Sequence, residues 1–102
     1  MKLDCEIISQ EFLPVLRAAM AKELASMGMS QKEVADVLGI SQPAVSQYLR
    51  DIRGAGNHFT SDQELYSNVK EMCQRIASRE ANESYLKEKM YLVCETALRK
   101  KR

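Results

Sequence analysis

The sequence predicts an all-α protein, a trihelical unit followed by a two-helix hairpin, and three observations lead to that fold class. Residues with high helix propensity, chiefly Ala, Leu, Glu, Lys, Gln and Met, recur in long runs along the 102 residues. Aromatic residues make up only 6% of the chain, and its four Gly and two Pro are too few for the frequent turns of an all-β fold. Apolar residues recur at spacings of three and four, which is the period of an amphipathic helix.

The first helix is predicted to begin near residues 11–13 and to end at residues 26–27. Pro14 is tolerated in a first helical turn, where its missing N–H is not needed. Gly28 is expected to cap the helix in the left-handed conformation. The apolar stripe of this helix consists of Leu13, Leu16, Met20, Leu24 and Met27. Residues 1–8 alternate weakly between apolar and polar side chains, which favours a short extended or frayed segment before it.

Two short helices are predicted next, because each is preceded by a capping signal. Ser30 and Glu33 form a capping box at the start of the first, and Gly39 ends it. Ser41 caps the second, whose first turn contains Pro43. Their inward-facing residues are predicted to be Val34, Ala35, Val37 and Leu38 in the first helix and Val45, Tyr48 and Leu49 in the second.

A hinge is predicted after the second short helix. Residues 50–57 lack helical periodicity, and Gly54 and Gly56 within them favour a bend in the chain. The hinge divides the chain into a predicted N-terminal domain, residues 1–56, and a C-terminal hairpin, residues 57–102.

The hairpin is predicted to begin with a capping box at residues 61–64 and to turn at the polar residues 78–83. Each of its two helices has one apolar seam, which is typical of a coiled coil or a helical bundle. We expect both seams to form the four-helix core of a homodimer; they comprise Leu65, Val69, Met72, Ile76, Leu86, Met90, Val93 and Ala97. Alternatively, the hairpin folds back to complete the N-terminal core. The dimer interpretation predicts a folded monomer when residues 61–102 are deleted.

The two short helices and the glycine turn between them have the helix-turn-helix layout. Ala35 is small where the helices cross, and Gly39 allows the positive φ that the turn needs. The second helix then presents small and amide side chains outward, and these suit the floor of a DNA major groove. The candidate base-reading residues are Gln42, Pro43, Ala44, Ser46 and Gln47. The candidate phosphate contacts that flank them are Ser30, Lys32, Ser41, Arg50 and Arg53.

The helix-turn-helix of the Cro/CI-like (XRE-type) repressors resembles the stretch SQKEVADVLGISQPAVSQYLR. Its characteristic positions are filled here by Gln31, Ala35, Gly39, Val45 and Tyr48. Residues 5–56 are also similar to the N-terminal domain of a group of small, mainly archaeal transcriptional regulators. The resemblance implies a sequence-specific DNA-binding domain that works as a dimer, with base-reading roles for Gln42, Ala44, Ser46 and Gln47. After Arg53 the sequence departs from Cro/CI-like domains, which pack two more short helices where this chain has a hinge and two longer ones.

Composition and charge exclude several classes of function. The net charge is only +1, so DNA binding must depend on a few well-placed cations. A single His and the lack of paired carboxylates, phosphate-binding glycine loops and metal-ligand clusters argue against an enzyme, a cofactor and a metal site. No apolar stretch is long enough to span a membrane, and the N-terminus lacks the apolar core of a signal peptide. We therefore expect a cytoplasmic regulator, a repressor, whose partner is double-stranded DNA.

The three cysteines leave two other hypotheses open. Cys5, Cys73 and Cys94 lie far apart without a CxxC pair, which favours buried thiols in a reducing compartment. One alternative is a redox-sensing or iron–sulfur regulator that uses Cys73 and Cys94. The other is an adaptor whose helical hairpin binds a different protein.

Overall fold

A computed structural model describes residues 1–51 and 57–101, and each regular element in these ranges is helical, which confirms the predicted fold class. A π-helical turn at Ile8–Phe12 joins the first two helices. The helices are α1 (Asp4–Ile7), α2 (Leu13–Ser26), α3 (Gln31–Leu38), α4 (Gln42–Arg50), α5 (Asn57–Ser61), α6 (Gln63–Ala77) and α7 (Glu83–Lys101). None of them is both long and apolar enough to cross a membrane. The predicted hinge glycines, Gly54 and Gly56, lie outside the described residues.

The N-terminal segment is helical from Asp4, so the expected extended lead-in is wrong. Pro14 has no N–H and its ring would collide with the carbonyl one turn earlier in a regular α-helix. The π-helical turn before it relieves this conflict, because the N–H of Leu13 bonds the carbonyl of Ile8, five residues back. The wider turn also buries Ile8 and Phe12 in the core. Burial against distant residues therefore stabilises this helical segment, which the alternation of apolar and polar residues at positions 1–8 could not predict.

Helix α2 is the element around which the others pack. Its buried side chains are at most 1% exposed, and they are Leu16, Ala18, Ala19, Met20, Ala21 and Leu24. Helices α3 and α4 contact α2, and so do α5, α6 and α7. Apart from Ala18, the buried hydrophobic side chains of these helices belong to one cluster. The described helices on the two sides of the predicted hinge therefore share a single core.

The residues predicted to form a dimer interface lie mostly in this core. Buried within the one chain are Leu65, Val69, Met72, Ile76, Val93 and Ala97. The other two, Leu86 and Met90, are half-buried and pack against the same cluster. This corrects the interface prediction, because side chains already covered by α2 and by each other offer little surface to a second copy. Deleting residues 61–102 would uncover α2, so a folded truncated monomer is not expected either.

Two polar contacts reinforce the packing of the hairpin. The hydroxyl of Tyr66 on α6 donates a hydrogen bond of 2.8 Å to a carboxylate oxygen of Glu23 on α2. At the end of α7, the Nζ atom of Lys100 lies 3.1 Å from Asp62 and 2.8 Å from Glu64. The first contact fixes α6 on α2, and the second joins the C-terminal turn of α7 to the N-terminal turn of α6.

The N-cap of α6 is one residue later than predicted. Asp62, and not Ser61, accepts the N–H of Leu65 at 3.0 Å, while Ser61 ends the short helix α5. A carboxylate at this position interacts favourably with the helix dipole. The N–H of Leu65 and then the ammonium of Lys100 lower the pKa of Asp62. These two hydrogen-bonding partners explain why Asp62, and not Ser61, is the N-cap of α6.

Met72→Ala should destabilise the whole protein by about 2–5 kcal/mol, because a fully buried side chain of the shared core is lost. Gln74→Ala is the control, since Gln74 is exposed on the same helix; we expect a change within about 0.5 kcal/mol. Denaturant unfolding gives the free energies, and native-state hydrogen exchange reports each helix separately. If Met72→Ala weakened the protection of α6 amides but not that of α3 and α4, the shared core would be refuted.

Candidate nucleic-acid interface

Helices α3 and α4 form the predicted helix-turn-helix, and local hydrogen bonds define both helix starts. The hydroxyl oxygen of Ser30 accepts the N–H of Glu33 at 3.1 Å, and the Glu33 carboxylate accepts the N–H of Ser30 at 3.0 Å. This reciprocal pair is the capping box that the sequence predicted. At α4, the hydroxyl oxygen of Ser41 accepts the N–H of Ala44 at 3.2 Å, which confirms Ser41 as the N-cap.

The turn between the two helices depends on Gly39. Its φ is +68°, a left-handed conformation that side-chain-bearing residues rarely adopt. The following N–H, that of Ile40, donates to the carbonyl of Ala35 at 3.1 Å. The chain can therefore reverse within a few residues and begin α4 at once.

The inner faces of α3 and α4 pack on α2 and fix the orientation of α4. Val34, Ala35, Leu38 and Val45 are buried, and Tyr48 and Leu49 are half-buried against the same cluster. Val37 was predicted to face inward, and this is wrong, because its side chain is 37% exposed. The stripe on α3 that faces the core is only wide enough for Val34, Ala35 and Leu38.

The outer face of α4 is open to solvent. Gln42, Pro43 and Gln47 are exposed, and Ala44 and Ser46 are half-buried. Val45 lies between them in sequence and is fully buried. The five residues predicted to read bases are therefore accessible, and they lie on the part of α4 that the core does not cover.

A further residue, Gln31, lies beside this face. With Gln42, Pro43 and Ser46 it lines a shallow depression of about 350 Å³ where the first turns of α3 and α4 meet. Gln31 was not among the predicted DNA contacts, although its position directly after the cap residue Ser30 could have indicated one. Like Gln42, it is the first residue of its helix and is exposed.

The candidate phosphate contacts border the same face. Ser30, Lys32, Ser41 and Arg50 are exposed, whereas Arg53 lies outside the described residues. A serine hydroxyl that accepts a capping bond still has its own O–H to donate. The first-turn N–H groups of α3 and α4 also point toward any anion placed there. Pro43 is the exception, because it has no N–H.

The cysteines do not form a site in the described chain. Cys73 and Cys94 are buried, and burial raises the pKa of each thiol to about 12. Cys5 was also expected to be buried, and this is wrong, because it lies on the exposed side of α1. Residues 1–51 and 57–101 contain no group of three or more His, Cys, Asp and Glu residues that could hold a metal ion. Thiolates, which bind metals and react with oxidants, are disfavoured at Cys73 and Cys94.

Comparison with known proteins gives one match. Residues 20–56 match the family model described as Helix-turn-helix. No curated protein and no solved structure shows a significant match to the chain. The matched range contains α3, the Gly39 turn and α4, so it includes the open face described above.

The capping box makes a prediction about pH. The N–H of Ser30 and then its side chain lower the pKa of Glu33. A carboxyl whose pKa is lower in the folded state stabilises that state above its unfolded pKa, about 4.3. This contribution is lost as the pH falls through the lower folded value. Ser30→Ala keeps the backbone N–H and removes the side-chain hydrogen bond, so it should raise the pKa of Glu33 part of the way in carboxyl-detected NMR titrations. Ser67→Ala, an exposed change on α6, should leave it unchanged; equal Glu33 values in all three proteins would contradict the contribution of the Ser30 side chain.

Proposed function

We propose that the chain is a DNA-binding transcription regulator of the Cro/CI-like type, in which α4 reads a specific sequence in the major groove. The match of residues 20–56 to a helix-turn-helix family model supports this proposal. The observation that carries the proposal is the division of α4 into a buried side at Val45 and an uncovered side at Gln42 and Gln47. A helix of nine residues is about 13 Å long. The major groove, about 12 Å wide, admits a helix.

The side chains on the open face supply the chemistry of base recognition. A glutamine amide can bond N6 and N7 of adenine together, which assigns this role to Gln42 and Gln47. The hydroxyl of Ser46 can bond several bases, and the methyl group of Ala44 can contact the methyl of thymine. Pro43 supplies an apolar surface at the start of the helix. None of these groups is charged, so their contacts contribute to sequence preference more than to general affinity.

The residues around this face supply the contacts to the DNA backbone. Lys32 and Arg50 provide positive charge, and Ser30 and Ser41 provide hydroxyl donors together with the first-turn N–H groups of their helices. We include Arg53 in this set because it follows α4 closely in the sequence. With so few cations and a net charge of +1, non-specific binding should be weak and specific contacts correspondingly important.

The regulator acts as a repressor and as a homodimer in this proposal. A protein seated in an operator groove blocks other proteins from the same DNA, which is sufficient for repression. A dimer reads two half-sites about 34 Å apart, one turn of the duplex. The surface that we assign to the dimer is the outer face of α7, where Tyr91 and Leu92 are adjacent and 42% and 56% exposed. Their exposed apolar surface is available for a contact with a second copy.

Replacing both recognition amides should reduce sequence preference. Selection of bound duplexes from a random pool should identify an operator for the wild type, and Gln42→Ala with Gln47→Ala should lose about 1–3 kcal/mol of discrimination per contacted base. Lys32→Ala should instead weaken binding to all sequences alike and reduce the salt slope by about 1. Gln74→Ala, an exposed amide on α6, is the control. Unchanged selectivity in the double variant would refute the assignment of α4.

The dimer assignment makes a separate prediction. Leu92→Glu should shift the protein from dimer to monomer in sedimentation equilibrium, because a charge replaces an apolar contact. It should weaken binding to a full operator while binding to one half-site is retained. Ser84→Glu, also exposed on α7, is the matched control. A wild-type chain that sediments as a monomer at all concentrations would refute the dimer without affecting groove recognition.

A further inference from the structure

A cavity of about 660 Å³ opens beside the helix-turn-helix and is not used by the proposed DNA contact. Its walls come from α2, from the C-terminal end of α3 and the Gly39 turn, from the turn after α6, and from the first half of α7. This volume lies within the range of small-molecule sites, roughly 300–1,000 Å³. The recognition helix α4 does not line it.

Apolar side chains make up much of the wall. Ile76 and Leu38 are buried at its floor, Leu86 and Met90 are half-buried, and Val37 is 37% exposed. This location accounts for the outward position of Val37, which contributes to the cavity instead of the core. An apolar ligand body placed here would be removed from water.

Arg17 is the polar group that makes the cavity chemically specific. It lies on α2, is half-buried and lines the cavity. Its Nε atom is buried without a hydrogen-bond partner, and Arg17 has no ion pair within 4.0 Å to any carboxylate of the described helices and turns. A guanidinium is permanently charged and matches a carboxylate with two parallel hydrogen bonds. Its surroundings therefore favour an anionic partner.

The other charges around the cavity limit that partner to a single negative charge. Lys87 is already paired with Glu83 at 3.0 Å. The charge of Glu83 is offset in the same pair, so Asp36 is the carboxylate of the lining that repels further negative charge, and phosphates and dicarboxylates are disfavoured. Arg79 adds one more cation to the lining. What remains is a site for one carboxylate attached to an apolar body.

We propose that this cavity binds a small monocarboxylate with an aliphatic or aromatic body, and that the ligand tunes DNA binding. The carboxylate pairs with Arg17, and the body contacts Val37, Leu86 and Met90. The ligand would contact the Gly39 turn, which sets the position of α4, so it stabilises the arrangement described here and raises operator affinity. This regulatory part rests on the proposed function, whereas ligand binding itself does not. The coupling is reciprocal, so operator DNA raises carboxylate affinity equally.

The test uses octanoate and its neutral analogue octan-1-ol with the full chain, without DNA. In amide NMR titrations both should shift Gly39 and Ala81, and octanoate should bind at least about tenfold tighter, as expected for a charge-assisted pair. Arg17→Met should reduce this ratio to near one, whereas Arg75→Met should not, because Arg75 stacks on the Tyr85 ring and does not line the cavity. Equal binding of both probes to the wild type, or no shift at Gly39, would overturn the site.

A second pair of variants covers the case in which Arg17→Met does not fold. Val37 is partly exposed, so Val37→Glu and Val37→Gln should both fold, and only the first adds a negative charge to the lining. Val37→Glu should weaken octanoate relative to Val37→Gln while octan-1-ol binds equally to both. Operator affinity measured with saturating octanoate then tests the coupling: an increase supports it, and no change overturns it. Failure of DNA binding both with and without octanoate would instead refute the proposed function.

Discussion

The burial of α2 is the physical constraint on which the rest of the structure depends. Leu16, Met20 and Leu24 have no exposed surface, because α3 and α4 cover part of the helix and α5, α6 and α7 cover another. A single helix that packs against five others restricts how those helices can be arranged at close packing. The orientation of α4 therefore depends on residues far along the chain, including Met72 in the hairpin.

This shared core explains how so short a chain can present a helix-turn-helix face that is fixed in orientation. Val45 anchors α4 from beneath, and the capping hydroxyls of Ser30 and Ser41 satisfy first-turn N–H groups without covering the outer surface. Gln42 and Gln47 thus remain accessible on a backbone that does not need to reorganise. A pre-organised surface loses less conformational entropy on binding, which favours specific recognition by few contacts.

The sequence was sufficient where the signal is local. The capping box of Ser30 and the glycine turn at Gly39 follow from the chemistry of a few neighbouring residues, and both the helix-turn-helix and its outer face could be predicted from them. The partner of an apolar seam is not a local property. Met72 and Val93 show the same periodicity whether they pack on α2 or on a second copy, so the sequence could not decide between the two. The helical N-terminus was not predicted, because Pro14 indicated the start of a helix. A π-helical turn that accommodates this proline inside a longer helical segment has no such local signal.

The two ends of α3 connect the proposed DNA-binding face to the cavity. Ser30 and Lys32 border the open face of α4, while Val37 and Leu38, about two turns later, line the cavity together with Gly39. An eight-residue helix with a buried inner face moves as a rigid body, so a small displacement at its C-terminal end is also felt at its N-terminal end and at the turn into α4. Helix α3 and Gly39 are then sufficient to connect the two sites. Coupling between them does not require a longer network of residues.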